Sequence, residues 1–124
     1  MRNGSNAQPN ATEQDSSLTW RGTSSNHPCG IAAGFLDADD SRKAHLISVW
    51  VSPEYRQSGA GRTLVTSVID WAKSRQVAHL HLMVTSNNQT AIAFYQRLGF
   101  AMSGRTEPYP NDPSMVEYEM SLTI

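Results

Sequence analysis

Strands are predicted wherever apolar residues alternate with polar ones or form short continuous runs. LTWRG (18–22) alternates, CGIAAGFLD (29–37) is an apolar run that ends at a turn cluster, and HLISVWV (45–51) stops ahead of Pro53, which cannot donate a ladder hydrogen bond. HLHLMV alternates again, and the last strand should turn alternate residues inward. The pattern predicts six strands over 18–22, 29–37, 45–51, 79–84, 100–104 and 115–122, with Val116, Tyr118, Met120 and Leu122 inward in the last.

Apolar residues that recur at steps of three and four predict two helices. The first runs from Arg62 to Arg75, and the second follows the polar loop TSNN and ends at Gly99, a common helix stop. The order β-β-β-α-β-α-β-β has a strand–helix–strand unit at its centre, which implies a right-handed crossover between parallel strands. Because the outer strands can pair antiparallel, we predict an α/β fold with a mixed sheet. The apolar faces are Leu64, Val65, Val68, Ile69, Trp71 and Ala72, then Ala91, Ile92, Phe94, Tyr95 and Leu98.

The beginning of the chain has a different composition from the rest. Residues 1–16 are rich in Asn, Gln, Ser and Thr and show neither period, which predicts a disordered polar tail. Residues 17–124 are then expected to form a single domain. TSSNHP (23–28) is typical of a turn, so the first two strands should form a hairpin with a rather long loop.

Charge and composition exclude some classes of protein. A net charge of -1 and a pI near 6.4 argue against a nucleic-acid partner bound through bulk charge. No apolar run reaches membrane-spanning length, and the amino-terminal stretch lacks the apolar middle of a signal peptide. We therefore expect a cytoplasmic protein that does not bind membranes, and its single cysteine, Cys29, fits a reducing compartment.

The stretch YRQSGAGRTL (55–64) lies between a predicted strand and a predicted helix. The first-turn N–H groups of a helix lack internal partners and carry roughly half a positive charge, so they attract anions. Gly59 and Gly61 let the backbone approach a phosphate, and Arg56 and Arg62 can add charge. A plain flexible turn is the alternative. A dinucleotide fingerprint would need a third glycine in place of Leu64, and the sequence G-x-x-x-x-G-K-[ST] is absent.

Two motifs together resemble the GCN5-related N-acetyltransferase (GNAT) family. V-S-P-E-Y-R-Q-S-G-A-G (51–61) looks like the family's acyl-CoA-binding motif, and N-Q-T-A-I-A-F-Y-Q-R-L-G-F (88–100) resembles its later helix. The segment PYPNDPSMVEYEM (108–120) is similar to the closing segment of some members. The resemblance covers roughly residues 17–122 and implies the GNAT-like acyl-CoA N-acyltransferase fold.

The resemblance also implies an activity. It implies transfer of an acetyl group from acetyl-CoA to a primary amine by direct attack in a ternary complex, with no metal. A backbone N–H of the strand before the loop would polarise the thioester carbonyl. Tyr95 would act as general acid, although core packing is its alternative role. The implied cofactor-binding residues are Val49, Trp50, Val51, Arg56, Gln57, Ser58, Gly59, Ala60, Gly61, Arg62, Asn88 and Tyr95.

The general base is left open by the sequence. Some relatives carry a glutamate five residues ahead of the asparagine, where this chain has Met83. Histidines 79 and 81 share one strand face, but two histidines without a third ligand are more often surface residues than a zinc site. The remaining candidates are His45, His79, Glu54 and Glu117.

The chain also departs from the family at its amino terminus. Members usually begin with a strand and two helices that wall the acceptor pocket, and only some sixteen polar residues precede Leu18. Three interpretations follow: an enzyme whose acceptor site is completed by another subunit, a non-catalytic acyl-CoA sensor, or a truncated remnant. An uncovered sheet surface should favour a homo-oligomer. Trp71 is predicted to lie in the core, whereas Trp50 is predicted either to line the acceptor cavity or to cover the sheet. The sequence leaves the amine acceptor open, and it is a small molecule or a protein.

Overall fold

One mixed sheet organises the computed structural model, which describes residues 8–14, 17–24, 27–56 and 58–124, with side chains from Gly30 onward except Gln57. Its described strands pair antiparallel throughout, apart from the parallel pair β4–β5, and their spatial order is β1-β2-β3-β4-β5-β7-β6. In the described part of the chain, no helix has the length and apolarity needed to cross a membrane. The elements are β1 (Gln8–Gln14), β2 (Ser17–Ser24), β3 (His27–Leu36), β4 (Lys43–Val51), a 3-10 turn (Pro53–Tyr55), α1 (Ala60–Ser74), β5 (His79–Thr85), α2 (Gln89–Arg97), β6 (Ala101–Tyr109) and β7 (Asp112–Thr123).

The predicted order of elements is confirmed from β2 onward, and most strands are longer than predicted. The first hairpin is tighter than expected, because β2 continues to Ser24 and β3 resumes at His27, its partner in the register. In β7, Met120 is fully buried as predicted, but the inward placement of Val116 is wrong, since 37% of it is exposed. At Val116, β7 pairs with Pro108 of β6, a strand whose residues are almost all exposed.

The prediction of a disordered tail over residues 1–16 is wrong for residues 8–14. These residues form β1, which pairs with β2 along its whole length, from Gln8 opposite Thr23 to Gln14 opposite Ser17. A strand at the edge of a sheet is held by backbone hydrogen bonds and needs no apolar face of its own, so a polar sequence can form one. Residues 1–7 and 15–16 lie outside the described residues.

The core lies on one face of the sheet. Buried side chains of both helices join alternate residues of β4 and β5, such as Leu46, Leu80 and Leu82, in one cluster. Trp71 belongs to it and is 5% exposed, as predicted. Neither α1 nor α2 covers the opposite face, here called the open face, whose side chains are Phe35, His45, Ile47, His81, Met83, Glu117 and Glu119.

Apolar side chains remain accessible on the open face. Phe35, Ile47 and Met83 are 37%, 45% and 36% exposed, and they lie on three adjacent strands. This agrees with the expected uncovered sheet surface. Self-association through it stays a prediction.

Gly34 lets α1 pack closely on β3. A Cβ atom at this position would lie 2.7 Å from Val68 Cγ1 and 3.0 Å from the ring of Trp71. Both partners are buried, so neither can move aside without disturbing the core.

We therefore expect Gly34→Ala to lower the free energy of unfolding by about 1–3 kcal/mol, the usual cost of overpacking a core. Chemical denaturation measures the change. Thr66→Ala, on the exposed side of α1, is the control and should stay within about 0.5 kcal/mol of the parent. An unchanged midpoint for Gly34→Ala would show that helix and strand are not in close contact here.

Candidate active site

The parallel strands β4 and β5 separate early. They pair only from Lys43–His45 to His79–His81, and the rest of β4 has no ladder with β5. On its other side, β4 carries a bulge: Trp50 faces Ile31 and Ile47 faces Ala33, with Ser48 at a φ of 57° between them. Beyond this separation, β4 borders a cleft through Val49, Trp50 and Val51.

The first turn of α1 follows a glycine in the left-handed conformation, and some of its backbone N–H groups have no acceptor within the helix. Gly59, the residue before the helix, has a φ of 90°, a conformation that favours glycine. Within the helix end, the amide of Ala60 donates to Ser58 Oγ at 3.3 Å, and that of Thr63 donates to Gly59 O at 3.0 Å. The amides of Gly61 and Arg62 lie in the first turn, where an α-helix offers no internal acceptor. They add to the positive end of the helix dipole.

Gly61 allows this helix end to sit close to β4 and α2. A Cβ atom there would lie 3.3 Å from Val51 Cγ2, tighter than ordinary contact, and 3.4 Å from Phe94 Cζ. The glycine thus keeps the first-turn amides beside the end of β4. The Arg56 side chain is tied to the same place, because its Nε donates to Val51 O at 3.1 Å.

These parts enclose a cleft of about 730 Å³, here called the helix-side cleft. It brings together nine of the predicted site residues: Val49, Trp50, Val51, Arg56, Gly59, Gly61, Arg62, Asn88 and Tyr95.

Two predicted site residues that the structure describes, Ser58 and Ala60, are not in the lining. Ser58 bonds locally to Tyr55 O at 2.7 Å, and Ala60 is buried beneath the helix end. Gln57 lies outside the described residues.

Sequence reasoning missed four lining residues, all on α2. They could have been found from helical spacing, since residues three, four and seven positions apart share one face. The four are Thr90, Ala91, Phe94 and Arg97, and Arg97 adds a third cation to the cleft beside Arg56 and Arg62.

Tyr95 lies in the apolar wall of the helix-side cleft. It is 8% exposed, and its ring meets Phe94 and Phe100 edge-on at centroid distances of 5.2 and 5.7 Å. Burial raises the pKa of Tyr95 from 10.0 to about 12, so the phenol keeps its proton throughout the physiological range. Tyr95 therefore packs in the core and also borders the cleft, and the two roles weighed from the sequence are not exclusive.

Asn88 has a structural role besides its place in the cleft. It precedes α2 as the N-cap, and its Oδ1 accepts a hydrogen bond from the amide of Ala91 at 3.1 Å. The Asn88 oxygen is engaged by the helix, and its amide NH₂ remains as a donor toward the cleft.

Trp50 is 47% exposed and lines the helix-side cleft together with Val49 and Val51. It thus lies with the other residues that the resemblance implies for cofactor binding, and neither an acceptor cavity nor a cover for the sheet describes its position. The bulge at Ser48 disturbs the alternation of β4, so a simple period of two does not hold there.

A second cleft, of about 520 Å³, lies on the open face and is here called the open-face cleft. It contains two histidines, each close to a carboxylate. His45 Nε2 is 2.7 Å from Asp37 Oδ1, and His81 Nδ1 is 3.5 Å from Glu119 Oε2. The second contact is an ion-pair distance without hydrogen-bond geometry, since His81 Nδ1 is buried without a hydrogen-bond partner. The remaining lining comprises Phe35, Lys43, Leu46, Ile47, Ser48, Leu82, Met83, Arg105, Glu107 and Glu117.

Burial and nearby charges set the protonation of this second pair. Burial is the largest influence on His81 and lowers its pKa, although Glu119 opposes the shift. For Glu119, burial raises the pKa, but the hydrogen bond from Ser103 Oγ at 2.8 Å and the neighbouring His81 outweigh it, so the pKa is lowered. No group of three or more His, Cys, Asp or Glu side chains in the described part of the chain could hold a metal ion.

Comparison with known proteins agrees with this geometry. The model of the Acetyltransferase (GNAT) family matches residues 4–100. The chain is similar to the [ribosomal protein bS18]-alanine N-acetyltransferase of Escherichia coli K12, 43% identical over 58 residues, and to the streptothricin acetyltransferase of Streptomyces lavendulae, 37% identical over 78 residues. These matches cover 47% and 60% of this chain but only 39% and 41% of the two relatives.

Solved structures show the same fold. A nourseothricin acetyltransferase superposes with a TM-score of 0.80 at 26% identity, covering 88% of this chain and 66% of that one. The Escherichia coli ribosomal-protein-S18-alanine N-acetyltransferase gives 0.74 at 28% identity, covering 90% and 72%. With the split strands and the helix-side cleft, these matches establish that the chain belongs to the GNAT acetyltransferase family.

The buried phenol of Tyr95 couples folding to alkaline pH. Its pKa is higher in the folded chain than in the unfolded one, so the unfolded state loses the proton first as the pH rises. The contribution of Tyr95 to the free energy of unfolding is therefore constant below pH 9. It falls as the pH passes through 10 toward 12, by about 1.4 kcal/mol at pH 11.

Chemical denaturation at pH 8 and pH 11 tests this. The parent should lose about 1.4 kcal/mol more than Tyr95→Phe between the two pH values. Tyr109→Phe removes a phenol outside this cluster, and its free energy of unfolding should fall as much as that of the parent between the two pH values. Equal losses in the parent and Tyr95→Phe would contradict the burial of this phenol.

Proposed function

We propose that the chain transfers an acetyl group from acetyl-CoA to a primary amine. The observation that carries this proposal is that the open edge of β4, the amino terminus of α1 and Tyr95 all border one cleft. Each of the three meets a different requirement of the reaction. The named relatives, which are acetyltransferases, support the same activity.

The first requirement is a site for the pyrophosphate of coenzyme A. The first-turn amides of Gly61 and Arg62 offer donors, and the helix dipole favours negative charge there. Arg62 and Arg97 can pair with phosphate oxygens, while Arg56 is fixed to the end of β4.

The second requirement is a track for the pantetheine arm. Beyond His45, β4 has no ladder with β5, so an extended amide-containing arm can add to this edge as a strand would. Val49, Trp50 and Val51 border the cleft along that edge, and the Asn88 amide can donate from the opposite side. A backbone N–H near the bulge can then polarise the thioester carbonyl.

The third requirement is stabilisation of the departing thiolate. A thiol has a pKa near ~8.5, and Tyr95 has a pKa of about 12, so full proton transfer from the resting phenol is uphill by roughly 5 kcal/mol. We therefore assign Tyr95 the donation of a hydrogen bond to the developing thiolate, with the proton moving fully only when the ligand lowers that difference.

The acceptor would reach the carbonyl from the open face. The open-face cleft holds four carboxylates, Asp37, Glu107, Glu117 and Glu119, against two cations, Lys43 and Arg105. This excess of negative charge favours a positively charged amine, either on a small molecule or on a protein. The relatives named above include one of each kind.

Calorimetric titration with acetyl-CoA tests the binding half of the proposal. Arg62→Ala should weaken affinity about tenfold, because it removes one charge-assisted hydrogen bond worth roughly 1.5 kcal/mol. Arg42→Ala, an exposed arginine in the loop before β4, is the matched control and should bind like the parent. Absence of acetyl-CoA binding by the parent protein would refute the proposal.

Release of free thiol across a panel of amines tests the catalytic half. Tyr95→Phe should lower kcat about 100-fold, the effect of removing one preorganised donor, with unchanged affinity for acetyl-CoA. Tyr109→Phe should keep full activity. Tight binding with thiol release only at the buffer rate, for every amine, would favour an acyl-CoA sensor over an enzyme.

A further inference from the structure

The proposed reaction needs a proton acceptor on the open face. An alkylammonium, with a pKa near ~10, loses two protons as it becomes an amide. One of them can return to the thiolate, and the other must leave the site. Which group receives this second proton is a question that rests on the proposed function.

The structure separates the candidates that the sequence left open. Glu54 is exposed in the 3-10 turn and lines neither cleft, and His79 is exposed and lines neither. Glu117 lines the open-face cleft, but no described residue hydrogen-bonds to its side chain to orient it. His45 lines the same cleft and has a defined orientation.

Two neighbours hold the imidazole of His45. Its Nε2 is 2.7 Å from Asp37 Oδ1, and its ring stacks on Phe35 at a centroid distance of 4.8 Å and an interplanar angle of 24°. A carboxylate on Nε2 fixes the proton there and leaves Nδ1 as the basic nitrogen. The hydrogen bond to His45 is also the main reason that the pKa of Asp37 is lowered, so this carboxylate stays charged and can stabilise an imidazolium.

His45 also stands at the point where the sheet opens. It pairs with His81 in the last parallel step before β4 and β5 separate, and the two rings are 6.2 Å apart. Ile47 and Ser48 continue the cleft along β4 to the bulge, a span of about 10 Å for three residues. A proton released at the bulge can reach His45 through water in this cleft.

We propose that His45, positioned by Asp37, is the general base that accepts the proton from the acceptor amine. His45 takes one proton from the ammonium through water, and the free amine then attacks the thioester carbonyl. The new C–N bond forms and the C–S bond breaks. The nitrogen loses its second proton to the thiolate with the aid of Tyr95, so the products are the amide, free coenzyme A and an imidazolium that releases its proton to solvent.

The surrounding charges are compatible with this role. The titratable groups in contact with His45 are Asp37 from the β3–β4 loop and His81 on β5, while Lys43 on β4 and Glu119 on β7 line the same cleft. His81 has a lowered pKa and is mainly neutral at pH 7, so it does not repel an imidazolium at His45. Arg105, Glu107 and Glu117 complete the charged lining of the cleft.

The pH profile of kcat/KM tests the proposal, using one amine for all variants so that the titration of the amine itself is common to them. His45→Gln should lower kcat at least about 100-fold and remove the histidine limb at acid pH, with acetyl-CoA affinity unchanged. Asp37→Asn should lower kcat by less than His45→Gln does. It should also move the acid limb of the kcat/KM profile to lower pH, because the imidazolium of His45 loses its carboxylate partner. His79→Gln is the matched control on the neighbouring strand and should retain the parent profile.

Several outcomes would overturn the inference. One is a His45→Gln variant that keeps the kcat and the acid limb of the parent protein. Another is loss of the acid limb in His81→Gln but not in His45→Gln. If His45→Gln unfolds below the assay temperature, the test rests on Asp37→Asn. An acid limb at the same pH as in the parent protein then excludes a role for the Asp37–His45 pair. A parent protein inactive with every amine refutes the proposed function and this inference together, whereas an active parent with an active His45→Gln refutes only the inference.

Discussion

The early end of the β4–β5 ladder is the constraint on which the arrangement depends. Parallel strands in a sheet normally stay paired, because unpaired buried amides and carbonyls cost free energy. Here pairing stops after three residues of each strand, and a bulge re-aims the rest of β4. The two clefts follow from this one separation, one on the side of the helices and the other on the open face. The same strand therefore borders both clefts, with Val49, Trp50 and Val51 lining one and His45, Ile47 and Ser48 lining the other.

The helices complete the first cleft by close packing. Gly34 lets α1 approach the sheet, and Gly61 lets its first turn approach Val51 and Phe94. The helix end and the strand end are thereby brought together with three arginines around them. Affinity for an anion would arise from this geometry, since the chain as a whole carries a net charge of only -1. Local arrangement, not overall charge, makes the site.

Much of the fold and nine of the thirteen described lining residues of the helix-side cleft could be predicted from the sequence, for identifiable reasons. The helices were predictable because their apolar residues repeat every three to four positions, and the glycine motif because it joins a strand to a helix. Strand β1 was not, since a polar edge strand has no apolar period. The Asp37–His45 pair was not either, because eight residues and a turn separate its members and no motif marks them. The lining residues of α2 could have been found by extending the helical spacing from Tyr95.

Asn88 both caps α2 and lines the helix-side cleft, and this combination has a consequence for local motion. Its Oδ1 accepts a hydrogen bond from the first turn of α2, and the residue also lines the helix-side cleft. A molecule that engages the amide would restrain the same side chain that caps the helix. A ligand bound in the cleft would then reduce fraying of the first turn of α2. It would therefore slow exchange of the Ala91 amide hydrogen with solvent.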